Sequence, residues 1–591
     1  MRVKPLLIAS AAVALGLSVL ALPVLAQQVP QPTPATPAQV PANTVAPAAA
    51  QPTATTPGGE TPSDETAVEE VANLNLPPPP PPVEYPGWAR RDPWVVGSLD
   101  PEHEGLGANP WGGASGAFLS TLMRRMSTPI ASRWAHIALR DALLAKARAP
   151  RDVNPIDWVA ERAWLLLRLG EADAARMLVA GVDTDRFTPK MVQVAVQSAL
   201  ANADPPALCP LEEGIGKYEP NIRALVQAMC SSLAGEPDTA AGEIDDARRH
   251  GRVGGIDLNL ADKVVGAGAN TARAVSIEWD PVDSLTAWRF GLATATGMVP
   301  PDRLMNAASP QLRAFQARAP LLTPQQRLPS AFVAAGLGVF SSQSMVDLYS
   351  AIYDSTDPDE LSNTDVWQLR QAFVGKDSDT RLAAIRHLLA AGKDPLQKEA
   401  MRALVARAAT RVEPDAKLGP DAPDLISAML AAGYDRATAR WAGACAKMKD
   451  EAGDRCWAMV VLAAPNADGL DLSAGRITSF IGRDISRNRF RSALLVAGLA
   501  GIGRITPDAA NSLNRRYGLG LGRQSNWTHA IDAAAARGQA GTVLVLTGTG
   551  FQTARFDQLP GSHVYHALTA LERTGQDFTA RMIAAEALSR T

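Results

Sequence analysis

Beyond residue 117 the chain alternates between apolar stretches with a period of three to four residues and short polar interruptions that carry glycine or proline. Trp158, Leu165, Leu166 and Leu169, with Arg162 among them, recur at the spacing of one helical face. Starts take a repeated form, a capping side chain followed by proline at the first helical position: Asn154-Pro155, Thr188-Pro189, Thr323-Pro324 and Thr506-Pro507. Thr323 with Gln326 also matches a capping box. Stops take the form of glycine, an acidic or polar residue and an alanine-rich restart, at Gly170, Gly235, Gly392, Gly433 and Gly575. Glycine there supplies the left-handed backbone that ends one helix, and the short polar turn starts the next antiparallel to it. The pattern predicts αα-hairpins over 117–591 and almost no strand, because alternation of period two is nearly absent.

Hairpin after hairpin implies an all-α fold of the α-solenoid kind, in which each pair buries its apolar face against the next. The phrases resemble degenerate tetratricopeptide or related helical repeats, where alanine at small positions and a Gly-Asp/Glu turn are common. The full tetratricopeptide pattern of Trp, Leu-Gly, Tyr and closing Pro is absent, and the spacing between glycine turns is irregular. The resemblance therefore implies an architecture and carries over no functional residue.

Before residue 117 the text changes. Arg2 and Lys4 precede an apolar run over 6–20, and Val24-Leu25-Ala26 before Gln27 reads as a cleavage site, so 1–26 is expected to be a signal peptide cut after Ala26. Retention of that run as a membrane anchor is the alternative. Residues 27–84 are rich in Pro, Ala, Thr and Gln, with no aromatic before Tyr85 and no Lys or Arg between Lys4 and Arg90. Such a segment buries too little apolar surface to offset its chain entropy and is expected to be a disordered tether, stiffened by the proline run at 77–82. Its composition resembles antifreeze glycopeptides, without their Ala-Ala-Thr period. Over 85–116, Trp88, Trp94 and Trp111 sit among Gly and Pro, which predicts an irregular arm pinned by its tryptophans onto the first helices.

Composition supports a large core: 46% of residues are hydrophobic and 20% charged. With 57 basic against 60 acidic residues, no global field draws the chain to nucleic acid. The apolar run at 493–502 is too short to span a bilayer and reads as a buried helix, so no transmembrane helix is expected after signal cleavage. The four cysteines fall into local pairs, Cys209 with Cys230 and Cys445 with Cys456, each bracketing a helix-turn-helix. In an exported chain these read as two disulfides, with free buried thiols as the alternative, and the periplasm is the expected location.

Catalytic signatures are missing. There is no Gly-x-Ser-x-Gly elbow, no Ser-x-x-Lys and no Glu-Ser pair of the goose-lysozyme kind. Gly214-Ile215-Gly216-Lys217 and the glycines Gly518, Gly520 and Gly522 lack the context of a phosphate loop and read as turns. His563 and His566, with Glu572, stand close enough to suggest a metal site but lack a second ligand cluster. Asp100, Glu102, His103 and Glu104 read as a solvated loop, and Asp354, Asp357, Asp359, Glu360 and Asp365 lack the central glycine of a calcium loop. No metal and no cofactor are expected. Arg476, Arg483, Arg487, Arg489, Arg491, Arg504, Arg515, Arg516 and Arg523 outnumber nearby acids, and several of them are expected to form a surface for an anionic partner. The expected function is a non-enzymatic scaffold or binding module of the cell envelope, for a protein or an envelope polymer; the alternative is an envelope enzyme with an unfamiliar active site.

Overall fold

The Asn154 side chain accepts from the backbone N–H groups of Ile156 and Asp157, Pro155 fills the first position, and the helix Pro155–Leu169 follows. Thr188, Thr323 and Thr506 start Pro189–Ala201, Pro324–Leu337 and Pro507–Tyr517 in the same way, and Thr323 with Gln326 closes a capping box. The computed structural model that contains these elements describes residues 86–127, 129–251, 253–269 and 275–591. The expected signal peptide, 1–26, and the expected tether, 27–84, lie outside the described residues. Two units are distinguished, 29–90 and a body over 91–591. Of the first, the described residues hold one 3-10 turn, Gly87–Ala89.

The body is helical. Its described residues carry a single two-stranded ladder, Val95–Val96 antiparallel to Ala147–Arg148. Consecutive helices pack as pairs, among them Pro155–Leu169 with Ala172–Val179, Pro220–Leu233 with Pro237–Arg249, and Gly561–Arg573 with Asp577–Ser589. Gly170, Gly235, Gly433 and Gly575 take φ of 92°, 86°, 76° and 80° at the turns, as a left-handed stop requires. Gly392 corrects the expectation: its φ is −70°, an extended value. Glycine is needed there for closeness instead, since a Cβ would lie 2.9 Å from the Cα of Lys398.

The helices at the two ends of the body meet. Arg133–Leu144 packs on both Ala540–Gly550 and Asp577–Ser589, and Gly116–Arg125 also packs on Ala540–Gly550. One cluster of buried residues runs from Leu106 and Ala131 to Leu588. A linear stack, in which each repeat touches only its neighbours, does not contain such contacts.

Over 91–116 the chain bonds to both ends of the body. Trp111 is buried edge-on against Trp158 at 5.0 Å, while the N–H of Gly541 donates to the Pro110 carbonyl at 2.9 Å. The amides of Gln539 and Gln576 donate to the carbonyls of Gly112 (2.6 Å) and Gly105 (2.9 Å). Trp94 stays partly exposed, beneath the guanidinium of Arg148.

Arginines join the helix ends. Helix C-termini leave carbonyls without partners, and guanidinium groups, buried at Arg133 and Arg162 and half-buried at Arg168 and Arg504, supply the donors. Arg168 donates to the carbonyls of Met123 (2.7 Å), Arg124 (2.9 Å) and Met126 (2.8 Å). Arg162 donates to Leu143 (3.0 Å), Ala145 (3.1 Å) and Val96 (2.7 Å). Arg133 reaches Ala335 at 2.9 Å and Ala431, and Arg504 reaches Ala464. A planar fork with five N–H donors reaches carbonyls that are further apart, and in fixed directions, than the single nitrogen of a lysine can. Cys209 pairs with Cys230 and Cys445 with Cys456, each with Cα atoms 5.6 Å apart.

Candidate functional site

The arginines of 476–523 separate into two groups. Asp454, on the helix Glu451–Ala463, accepts from Arg476 at 2.8 Å and from Arg483 at 2.7 and 2.8 Å. Burial pushes the Asp454 carboxyl up, but the hydrogen bonds and charges of the two guanidinium groups outweigh it, so it lies below the usual carboxylate range. Arg476 also lies over the Trp457 ring at 4.1 Å. Arg491 donates to the main-chain oxygen of Thr591 at 2.8 and 2.5 Å and pairs with Glu451 at 3.3 Å. Arg476, Arg483, Arg491 and Arg504 therefore bind groups of the body itself, and Arg483 and Arg491 leave the expected partner surface.

Arg487, Arg489, Arg515 and Arg516 are exposed. Among the described residues none of these four forms an ion pair. The structure brings two of them together: the guanidinium groups of Arg489 and Arg516 lie 5.4 and 5.2 Å from the centre of the Tyr517 ring. Arg515 and Arg516 occupy the last turn of Pro507–Tyr517, where cations also complement the helix dipole.

Sequence reasoning missed the loop that presents this group. Between the helices Ala474–Arg483 and Phe490–Gly501, the Asp484 carboxylate accepts from the N–H of Ser486 (2.8 Å), the N–H of Ser492 (2.8 Å) and the Ser492 hydroxyl (2.6 Å). The Ser486 hydroxyl accepts from the N–H of Arg491 at 3.0 Å. Burial pushes the Asp484 carboxyl up, but its bonds from Ser486 and Ser492 outweigh that and hold it below the usual carboxylate range as well. Asn488 and Arg489 both adopt left-handed backbone, with φ of 55° and 53°, at a cost of roughly 1–2 kcal/mol for each non-glycine residue. Strain of that size persists only where the surroundings over-determine it. Held in this loop, Ile485 is 91% exposed. Its signal in the sequence is a lone isoleucine inside Arg483-Asp484-Ile485-Ser486-Arg487, where a helix break leaves it no core to face.

The other candidates serve the fold. His563 stacks on Trp527 at 4.4 Å with its Nδ1 against the Gly550 carbonyl, whereas His566 pairs through Nδ1 with Asp532 at 2.9 Å. Glu572 belongs to a different group, its carboxyl held up by burial and by Asp577. Among the described residues no three metal-ligating side chains converge. Asp100 and Asp357 cap the N–H groups of Glu102 and Asp359, and Asp365 pairs with His387 at 3.0 Å. Gly518 and Gly520, at φ of 66° and 73°, make a turn after a helix, and Gly214-Ile215-Gly216 lies in a short helix.

Two cavities are small and open to solvent. One of about 210 Å³ is lined by Leu382, Leu389 and the Arg386–Asp421 pair, whose contacts are 2.7 and 2.6 Å. The other, of about 180 Å³, holds the Arg318–Asp173 pair at 2.6 Å and the Arg176–Asp204 pair at 2.5 Å. Both fall below the roughly 300 Å³ of a typical small-molecule site, and an internal ion pair occupies each of them, Arg386–Asp421 and Arg318–Asp173. No helix among the described residues is long and apolar enough to cross a membrane. No protein-family profile, curated protein or solved structure matches the chain.

Proposed function

We propose that the chain is an exported scaffold or binding module of the cell envelope, whose helical-repeat body engages an anionic partner. The binding surface is centred on Arg487, Arg489, Arg515 and Arg516. The observation that carries this reading is that four exposed guanidinium groups remain without carboxylates, while neighbouring Arg476, Arg483 and Arg491 take theirs from within the body. Guanidinium groups are weakly hydrated and bind carboxylate or phosphate in a bidentate manner, so an unmatched group of them favours an anion. Two disulfides fit an oxidising compartment such as the periplasm, and the leader-like residues 1–26 fit export into it. The Pro-, Ala- and Thr-rich composition of 27–84 supports a spacer role for that segment in this reading.

The test is titration with polyglutamate, a soluble polyanion, over a salt series. Affinity falls as salt rises, and Arg487→Gln with Arg489→Gln and Arg516→Gln lowers it roughly tenfold at low salt. Equal affinity for the wild-type and triple-variant proteins removes the assignment of this surface.

A further inference from the structure

Resting on that reading, we propose that the anionic partner of the Ile485 loop is a membrane surface: Ile485 enters the interface while Arg487, Arg489 and Arg516 contact lipid phosphates. Exposed apolar residues scattered singly need no explanation, but Ile485 differs in how it is held. Asp484 and Ser486 fix the chain on either side of it through side-chain bonds to Ser486, Ser492 and Arg491. Two consecutive left-handed residues, Asn488 and Arg489, then turn the backbone into the next helix. The isoleucine is thus presented by a preorganised loop and is 91% exposed.

Charge and shape choose the partner. Arg487 and Arg489 follow Ile485 within four residues, and Arg489 and Arg516 both lie over the Tyr517 ring. The one carboxylate in the loop, Asp484, is occupied by its own three hydrogen bonds. A soluble acidic segment would match the arginines and leave Ile485 in water. An anionic bilayer accommodates both, because its interface accepts an apolar side chain below the headgroups and cations at their level. Tyr517, whose ring both guanidinium groups approach, is also of the amphipathic kind that favours this depth. The chain as a whole has a net charge of −3, so attraction to an anionic surface has to be local and oriented.

The processed chain, recovered from an exporting host, is sedimented with vesicles of equal parts phosphatidylglycerol and phosphatidylcholine, and with vesicles of phosphatidylcholine alone. It binds the anionic vesicles at low salt and not the neutral ones. Arg487→Glu with Arg516→Glu lowers the partition coefficient about tenfold or more. Ile485→Ser, which removes the apolar side chain without adding charge beside the arginines, lowers it about tenfold while leaving polyglutamate binding and the thermal midpoint unchanged. An Ile485→Trp reporter moves its emission to shorter wavelength on anionic vesicles only. If polyglutamate binds and anionic vesicles do not, or if Ile485→Ser binds vesicles like the wild type, the membrane assignment is overturned and the anionic-partner reading stands. If neither probe binds, both fall.

Discussion

The Ser132 hydroxyl donates to the Glu586 carboxylate at 2.5 Å, across 454 positions of sequence. The same carboxylate accepts the N–H of Arg133 at 2.8 Å, so a residue of the helix Asp577–Ser589 caps the helix Arg133–Leu144. Arg590 meets Glu586 at 2.9 Å and donates to the Ala131 carbonyl at 2.7 Å. Ser132 and Glu586 are both buried. Here the two ends of the body are joined by charge-assisted bonds, in addition to apolar packing.

Glu586→Ala leaves Arg590 and Arg133 buried beside an empty position, and removes the negative charge from a helix N-terminus. Breaking one side of a buried charged network costs about 3–5 kcal/mol. Ser132→Ala removes the cap bond from the Ala135 N–H and the hydroxyl's donation to Glu586, but no charge, and costs about 1–2 kcal/mol. Urea unfolding followed by circular dichroism ranks the two. An alanine at 586 that unfolds no earlier than an alanine at 132 would show that the carboxylate is not what closes the body.

Arg162 is fully buried and answers three carbonyls with no carboxylate near it. Burial pulls its guanidinium down to about 9, which still leaves a cation at neutral pH. Arg162→Lys keeps the charge but cannot span Val96, Leu143 and Ala145 together. At least one buried carbonyl is left unmatched, costing about 1–3 kcal/mol, and the Val95–Val96 strand loosens. Limited trypsin digestion reads this as faster cleavage at Arg148 and Arg151. Unchanged cleavage in the lysine variant contradicts a guanidinium-specific role.

Local chemistry was legible and long-range chemistry was not. The capped prolines at 155, 189, 324 and 507 act over three or four residues, so the sequence states them outright. Gly392 obeyed a different requirement from the other stop glycines, because the demand on it comes from Lys398 and not from the end of its own helix. The arginines misled in a systematic way. In composition Arg133, Arg162, Arg168 and Arg504 look like surface residues, yet each answers carbonyls 17 to 298 positions away. Arg504, together with Arg476, Arg483 and Arg491, likewise answers groups of the body, and taking these four out of the 476–523 stripe leaves the small group around Tyr517.

The disulfides differ in shelter. Cys445 and Cys456 are 1% and 0% exposed, whereas Cys209 and Cys230 are only partly buried, in Pro205–Leu211 and Pro220–Leu233. Exchange requires a thiolate to reach sulfur. Under mild dithiothreitol without denaturant, Cys209–Cys230 is therefore reduced first, as trapping with iodoacetamide and peptide mass analysis will read. Losing a cross-link of this size costs about 3 kcal/mol in the chain-entropy picture. First labelling at Cys445 and Cys456 would place the weaker cover over the other pair.

Acid should act on the 454–492 region through Asp454 and Asp484. For both, burial pushes the carboxyl up, and hydrogen bonds outweigh it: from Arg483 and Arg476 in one case, from Ser486 and Ser492 in the other. Both folded values lie below the unfolded one, about 3.9. The sign follows from proton uptake. Above the unfolded value both states are ionised and the full stabilisation is present; as pH falls below it, the unfolded state takes up protons first, and the stabilisation is lost through the folded values. Asp454→Asn and Asp484→Asn therefore unfold more easily than the wild type at pH 6, while their thermal midpoints fall less steeply below about pH 4. The decisive measurement is the midpoint over this acid limb. Parallel curves for wild type and Asp454→Asn would mean that the Arg476–Asp454–Arg483 bridge contributes nothing to acid sensitivity. Convergence of the curves towards low pH would identify that bridge, together with the Asp484 turn that fixes Ile485, as acid-labile contacts.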